Sequence, residues 1–188
     1  MRAAPARRGL DFTVIEASPL LKAIRAQYSL GWYGLHGIAH WARVFENGLL
    51  VANHTQVSRD LVLLFSLFHD ACRRNDGIDP DHGLRGADLA AALRGEFYEL
   101  PDAEFELLHQ ACARHTDGLV HGDVVLQTCW DADRLDLARA SIIPSPKHMC
   151  TAVARDPKVI SWATERSRRD HVPDLLRAEW GQDLSEAP

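Results

Sequence analysis

Apolar positions recur along this chain at intervals of three and four, the spacing of one helical face, and almost nowhere alternate as in a half-buried strand. Ser18 followed by Pro19 is a cap and first-turn signal, predicting a helix through about Tyr28. A glycine-rich break at Gly31 and Gly34 precedes a second predicted helix, roughly 35–53. Ser58 caps a third, running through Leu61, Leu64, Phe65 and Phe68 to about Arg74. This segment is apolar nearly all round, so it belongs at the centre of the molecule. Residues 75–80 read as a loop, with Asp79 capping a fourth helix and Pro80 as its first residue. Pro101 and Asp102 open a fifth, to about His115, and a sixth spans roughly 123–140. Pro144 and Pro146 interrupt the chain, and shorter helical stretches follow near 147–154, 158–168 and 173–180, before a frayed end. There is no internal repeat and no low-complexity tract. The expected fold is all-α, with a tail over 1–15, a helical domain over 16–143 and a C-terminal helical extension over 144–188 packed on the same domain.

Composition narrows the class. At 188 residues the chain suits one domain, and 46% hydrophobic with 25% charged residues is ordinary for a globular protein with a substantial core. The net charge of -5 argues against dedicated nucleic-acid binding, which calls for a basic surplus facing phosphates. No apolar run approaches the ~18–20 residues that cross a bilayer, and the N-terminus lacks the apolar segment of a secretory signal. A cytoplasmic protein without membrane partners is expected. Cys72, Cys112, Cys129 and Cys150 are widely spaced with no CxxC pair, as expected of reduced structural thiols.

The ten histidines matter through their positions. His69 and Asp70 end the most hydrophobic helix, where an ionised carboxylate is costly to bury unless a cation or hydrogen bonds compensate it. Read alone, the dipeptide is rather a capped helix end with a satisfied histidine and an exposed aspartate; three further features turn the reading toward a metal. His40 lies one turn from His36 on a mostly apolar stripe. Phe105, Leu108, Cys112 and His115 fall on one face, and Leu126, Cys129, Asp133 and Leu137 on another. Four predicted helices thus each turn a ligand-type residue inward, and imidazoles with carboxylates suit a divalent metal. Periodicity does not choose between Asp133 and Asp131, which shares a partly apolar face with Val124 and Leu135.

The order His40, His69-Asp70, Asp133 resembles the H…HD…D motif of the HD superfamily of metal-dependent phosphohydrolases. The contexts His40-Trp41-Ala42-Arg43-Val44, Leu64-Phe65-Ser66-Leu67-Phe68-His69-Asp70 and Asp131-Ala132-Asp133-Arg134-Leu135-Asp136 are similar to the family's, and the resemblance covers about residues 34–139. It implies a compact helical domain holding a divalent cation (Mn²⁺, Co²⁺, Ni²⁺, Fe²⁺ or Mg²⁺) on His40, His69, Asp70 and Asp133, the last preferred over Asp131 for its Ala-Asp-Arg-Leu context. It further implies hydrolysis of a phosphate ester or anhydride of a small phosphorylated metabolite, commonly a nucleotide. Some members bind a second metal through two further histidines, whose places in the order His82 and His115 occupy here, with Asp70 as the bridge. His82 also reads as a surface residue in a first helical turn.

Arg73 and Arg74, one turn past the dipeptide, are the first candidates for substrate phosphate, followed by Arg85, Arg43 and Lys147; each also reads as a solvated charge. Asp76 or Asp79 could orient the attacking water, and His36 could support a ligand or lie over the pocket. No Gly-Tyr-Pro segment follows His115 and no Glu-Asp pair follows the dipeptide, so neither cyclic-dinucleotide nor alarmone hydrolysis is assigned by analogy. Two other readings stay open: a di-iron oxygenase of the same fold, which His82 and His115 permit, and a non-catalytic nucleotide-binding domain. The region from Trp162 to Trp180 packs either on the core or against a second copy in a homodimer; the sequence leaves both open.

Overall fold

The structure, a computed structural model, describes residues 15–183. The expected tail, except Ile15, and the frayed end over 184–188 lie outside the described residues. Among the described residues eight helices follow one another: α1 (Ala17–Gln27), α2 (Ile38–Thr55), α3 (Arg59–Phe68), α4 (His82–Leu93), α5 (Asp102–Ala113), α6 (Val124–Arg134), α7 (Pro157–Arg168) and α8 (Leu175–Ala178). Short 3-10 turns occupy Leu137–Ala140 and Pro146–His148. Among the described residues there is no strand, only one isolated bridge between Arg94 and Tyr98. The fold is all-α. No described helix is long and apolar enough to cross a membrane.

Helix α3 is the hub. Ser58 caps it by accepting from the Leu61 N–H at 3.3 Å, and every residue from Leu61 to Phe68 is buried. Helices α2, α4, α5 and α6 all pack against it. Burying each of its large apolar side chains contributes roughly 1.5–3 kcal/mol, so tertiary packing rather than propensity holds a helix this short. The chain after Pro144 shares the same interior: Leu175, Leu176 and Trp180 join the main core, while Ile160 and Ala163 of α7 close a smaller cluster with Val51 and Leu135. All four cysteines are free thiols; burial pushes Cys112 and Cys129 well above the usual thiol range, leaving them protonated.

Several element ends differ from the sequence expectation. Helix α3 stops at Phe68, not Arg74, and the chain turns through His69 and Asp70 with short-range bonds from Ala71 N to Phe68 O and from Arg73 N to Asp70 O. Ser18 lies inside α1 rather than capping it. Helix α4 begins at His82, after Asp81 in a left-handed conformation (φ 64°), so Asp79 is not its cap. The Asp79 carboxylate instead accepts from Arg74 N at 2.7 Å and Arg85 Nη2 at 2.7 Å, tying the 74–85 loop together. Helix α6 ends at Arg134, and Asp136 then precedes the 3-10 turn Leu137–Ala140 that carries Arg139. The helix expected over 147–154 is only the turn Pro146–His148, because Asp131 captures the next backbone donors: its carboxylate accepts from Cys150 N and Thr151 N, both at 2.7 Å.

Two glycines let α4 approach closely enough to bring His82 into the interior. A Cβ on Gly86 would stand 2.1 Å from the Phe68 carbonyl oxygen, and one on Gly83 would stand 2.4 Å from that of Cys112.

Candidate metal centre

Helix α2 brings His40 inward, and the turn after α3 supplies His69 and Asp70. His82 opens α4, His115 lies just past the end of α5, and Asp133 lies in the last turn of α6. All six are buried. They fall into two triads, His40–His69–Asp133 and Asp70–His82–His115, the ligand atoms within each lying inside 4.8 Å of one another.

Asp70 faces both groups. Its Oδ2 lies 3.6 Å from His40 Nε2 and 3.9 Å from His69 Nε2, and its Oδ1 lies 3.1 Å from His82 Nε2 and 3.7 Å from His115 Nε2. Asp133 Oδ1 stands 3.5 Å from His40 Nε2 and 3.7 Å from His69 Nε2. The imidazole nitrogens themselves approach to 3.1 Å (His40 to His69) and 3.0 Å (His82 to His115).

Hydrogen bonds on the far side of each ring decide what these nitrogens carry. The Nδ1–H of His82 donates to Asp79 O at 2.6 Å, that of His115 to Cys112 O at 2.7 Å, and that of His69 to Ser66 O at 3.1 Å. His40 Nδ1 donates to Asp136 Oδ2 at 2.8 Å. Carbonyls only accept, so in the neutral ring Nδ1 holds the proton and Nε2 presents its lone pair inward. Lone pairs thus meet in each histidine pair, which is unfavourable unless a proton or cation lies between them. Asp133 Oδ1 is moreover buried without a hydrogen-bond partner. Donors about 2.1 Å from a cation and 90–110° apart stand about 3.0–3.4 Å from one another, close to the spacing here. The donor set therefore fits one divalent cation per triad, with Asp70 between them.

Electrostatics agree. Burial pushes His69 down to about 3, so it is neutral and ready to ligate. Burial alone would raise Asp70, but the imidazoles around it, His69 first and then His115, His36 and His40, hold it well below the usual carboxylate range. Asp133 follows the same pattern, burial being outweighed by His69 and Arg139.

A cleft of about 230 Å³ opens onto this cluster, with His36, Arg73, Asp76 and Arg139 on its walls beside Asp70, His115 and Asp133. His36 Nδ1 donates to Asp70 Oδ2 at 2.7 Å, and Arg73 Nε donates to Asp70 Oδ1 at 2.9 Å. Other basic candidates are placed elsewhere. Arg74 is exposed and does not line the cleft; Arg85 is held by Cys72 O, Pro80 O and Asp79; Lys147 is exposed on the turn Pro146–His148. Arg43 is buried in a two-pronged pair with Asp136, through Nε to Oδ1 at 2.8 Å and Nη2 to Oδ2 at 3.1 Å. Asp79 contributes its backbone carbonyl to His82 and does not line the cleft. Asp131, the alternative to Asp133, is committed to Cys150 and Thr151, with burial raising it above the usual carboxylate range.

Two residues of this centre escaped the sequence reading. Asp136 orients His40 from behind while neutralising Arg43; burial would raise its carboxyl, but His40 and Arg43 hold it well below the usual range. Arg139 Nη2 stands 3.9 Å from Asp70 Oδ2 and 4.0 Å from Asp133 Oδ1. The signal was the three-residue interval Asp133, Asp136, Arg139, neighbours on one face of a helix or a 3-10 turn. Comparison with family models, curated proteins and solved structures returns no match for this chain.

Proposed function

We propose that this chain is a metal-dependent phosphohydrolase of the HD superfamily, cleaving a phosphate ester or anhydride of a small phosphorylated metabolite, with nucleotides the favoured class. The observation that carries the reading is the pair of buried triads sharing Asp70, with two arginines, Arg73 and Arg139, on the wall of the same cleft. The family resemblance of His40, His69-Asp70 and Asp133 supplies the reaction type. Fold alone would not, because chemistry resides in the site.

His40, His69 and Asp133 would hold one cation and His82 and His115 the other, with Asp70 shared. A divalent cation, when bound, acidifies water and offsets charge on phosphoryl oxygens. The remaining work falls to the chain's own groups. Arg139 offers Nη2 to a phosphoryl oxygen in the cleft, its other nitrogens being fixed on Leu35 O and Asp136 O. Arg73, braced by Asp70 and by the carbonyls of Asn75 and Gly77, places a second positive charge on the cleft wall. Asp76, exposed on the same wall, would orient the attacking water. His36 restrains the Asp70 carboxylate so that each oxygen keeps its own triad.

The test is phosphate release from a panel of nucleotides and simple phosphomonoesters with Mn²⁺, Co²⁺, Ni²⁺, Mg²⁺ and Fe²⁺ in turn, with Asp70→Ala prepared in parallel. Metal-dependent release that disappears in the variant is the expected result. A folded, metal-loaded protein that releases phosphate from none of these overturns the proposal, and oxygen uptake by an iron-loaded sample would redirect it to dioxygen chemistry.

A further inference from the structure

Beside the metal cleft lies a larger cavity of about 520 Å³, within the roughly 300–1,000 Å³ typical of small-molecule sites. The two spaces share Leu35 and Arg139 as a common wall. Arg139 is fixed there: Nε donates to Leu35 O at 3.1 Å and Nη1 to Asp136 O at 3.0 Å, leaving Nη2 toward the metal cluster. A substrate with its phosphoryl group in the cleft would therefore pass Arg139 and extend its organic part into the cavity.

The cavity walls describe that part. Tyr33, Ile38, Val172 and Leu176 make them largely apolar, and Asp170 places one carboxylate among them. Arg43 also lines the space, but its guanidinium is taken by Asp136 and by the carbonyl of His171. Beyond Arg139, then, the lining holds no uncommitted cation. A second or third phosphate there would meet apolar walls and a carboxylate without compensating charge. An uncharged ring system would bury its faces on the apolar side chains and donate a hydrogen bond to Asp170.

We propose that this cavity holds the leaving alcohol of a phosphomonoester, a nucleoside-sized group with apolar faces and hydrogen-bond donors, and that Asp170 and Val172 select it over nucleoside di- and triphosphates. The proposal rests on the phosphohydrolase reading. Asp170, Val172 and Leu176 lie outside residues 34–139, so this wall is read from the structure and not from the motif the chain resembles. In the reaction, the water oxygen bonds to phosphorus and the ester P–O bond breaks. The alcohol departs with a proton, and inorganic phosphate remains.

The experiment compares the wild type with Val172→Trp and Asp170→Asn. Val172 is 38% exposed on a non-helical segment, and Asp170 sits at φ 47°, a conformation asparagine tolerates, so both variants are compatible with the fold. Binding of adenosine, guanosine, cytidine and thymidine to the metal-free protein is followed by saturation-transfer NMR. In parallel, kcat/KM is measured with Mn²⁺ for their 5′-mono- and triphosphates and for phenyl phosphate. At least one nucleoside binds, and Val172→Trp weakens that binding about ten-fold or more, with a matching fall in the ratio of monophosphate to phenyl phosphate kcat/KM. Asp170→Asn narrows the preference for mono- over triphosphate.

Hydrolysis that proceeds with these ratios unmoved in both variants, or that favours triphosphates, overturns the cavity assignment while the hydrolase reading stands. Failure of every nucleoside to bind the wild type also overturns it. Nucleoside binding lost in Val172→Trp, with no ester cleaved by the wild type, supports the cavity as the nucleoside site and removes the hydrolase reading instead.

Discussion

Asp136→Asn isolates the role of a carboxylate that touches no substrate. The change is nearly isosteric, so it opens no cavity. It leaves the Arg43 guanidinium, whose side chain is 4% exposed, without the countercharge that now meets it at 2.8 and 3.1 Å. Breaking one side of a buried ion pair typically costs about 3–5 kcal/mol, since the surviving charge stays buried. Arg43 keeps its bond to the His171 carbonyl, which places the expected loss near the lower end, about 3 kcal/mol. For a chain of this size that lowers the melting temperature by about 6–12 °C.

The same substitution loosens His40, whose Nδ1 now donates to Asp136 Oδ2 at 2.8 Å, and loss of such a supporting acceptor weakens metal binding about 10–100-fold. Urea denaturation of the metal-free protein reads the first effect, and calorimetric titration with Mn²⁺ reads the second. A double variant, Arg43→Met with Asp136→Leu, removes both charges together; it should recover most of the stability and none of the metal affinity. The account fails if Asp136→Asn unfolds within about 0.5 kcal/mol of the wild type, because a surface substitution would do as much. It fails equally if the double variant restores metal binding.

Other consequences follow from the same geometry. Asp70→Ala removes the ligand common to both triads, so metal content by mass spectrometry should fall from two ions toward none; retention of one tightly held ion would refute the shared carboxylate. Asp133→Ala should abolish binding at the His40–His69 triad. Asp131→Ala should instead lower stability by about 2–4 kcal/mol, through loss of its buried hydrogen bonds to residues 150 and 151, with metal affinity retained. Glycine-to-alanine changes inside helices usually stabilise by up to about 1 kcal/mol, but Gly86→Ala should destabilise by several times that, because its Cβ would stand 2.1 Å from the Phe68 carbonyl oxygen. A melting temperature at or above the wild type would show that the α3–α4 approach is looser than described. Chelation should lower the melting temperature of the loaded protein, and metal at about 1,000 times its Kd should add about 4 kcal/mol.

The sequence by itself determined that this chain is all helical and that the segment around Leu61–Phe68 is its centre; read alone, it left Asp70 either inside or exposed. Those properties are written in the spacing of apolar side chains, and burial acts on each position through its own chemistry. The inward direction of His40, His115 and Asp133 was legible for the same reason. Where α3 ends was not: the bonds that replace its ladder are local, but the Asp70 carboxylate in that turn is held by His36 and His82 from other segments. Asp131 and Asp133 share a helix, and only packing against Cys150 and Thr151 gives the first a structural partner while leaving an oxygen of the second without one. The gathering of His82 with His115 depends on α4 approaching α3 and α5 through Gly83 and Gly86. Asp136 and Arg139 reach the site where α6 gives way to a 3-10 turn, a change of helix type that the apolar spacing does not announce. Periodicity assigns side chains to a face; which faces meet, and which donors and acceptors remain unsatisfied when they do, is settled only when distant segments compete for the same hydrogen bonds.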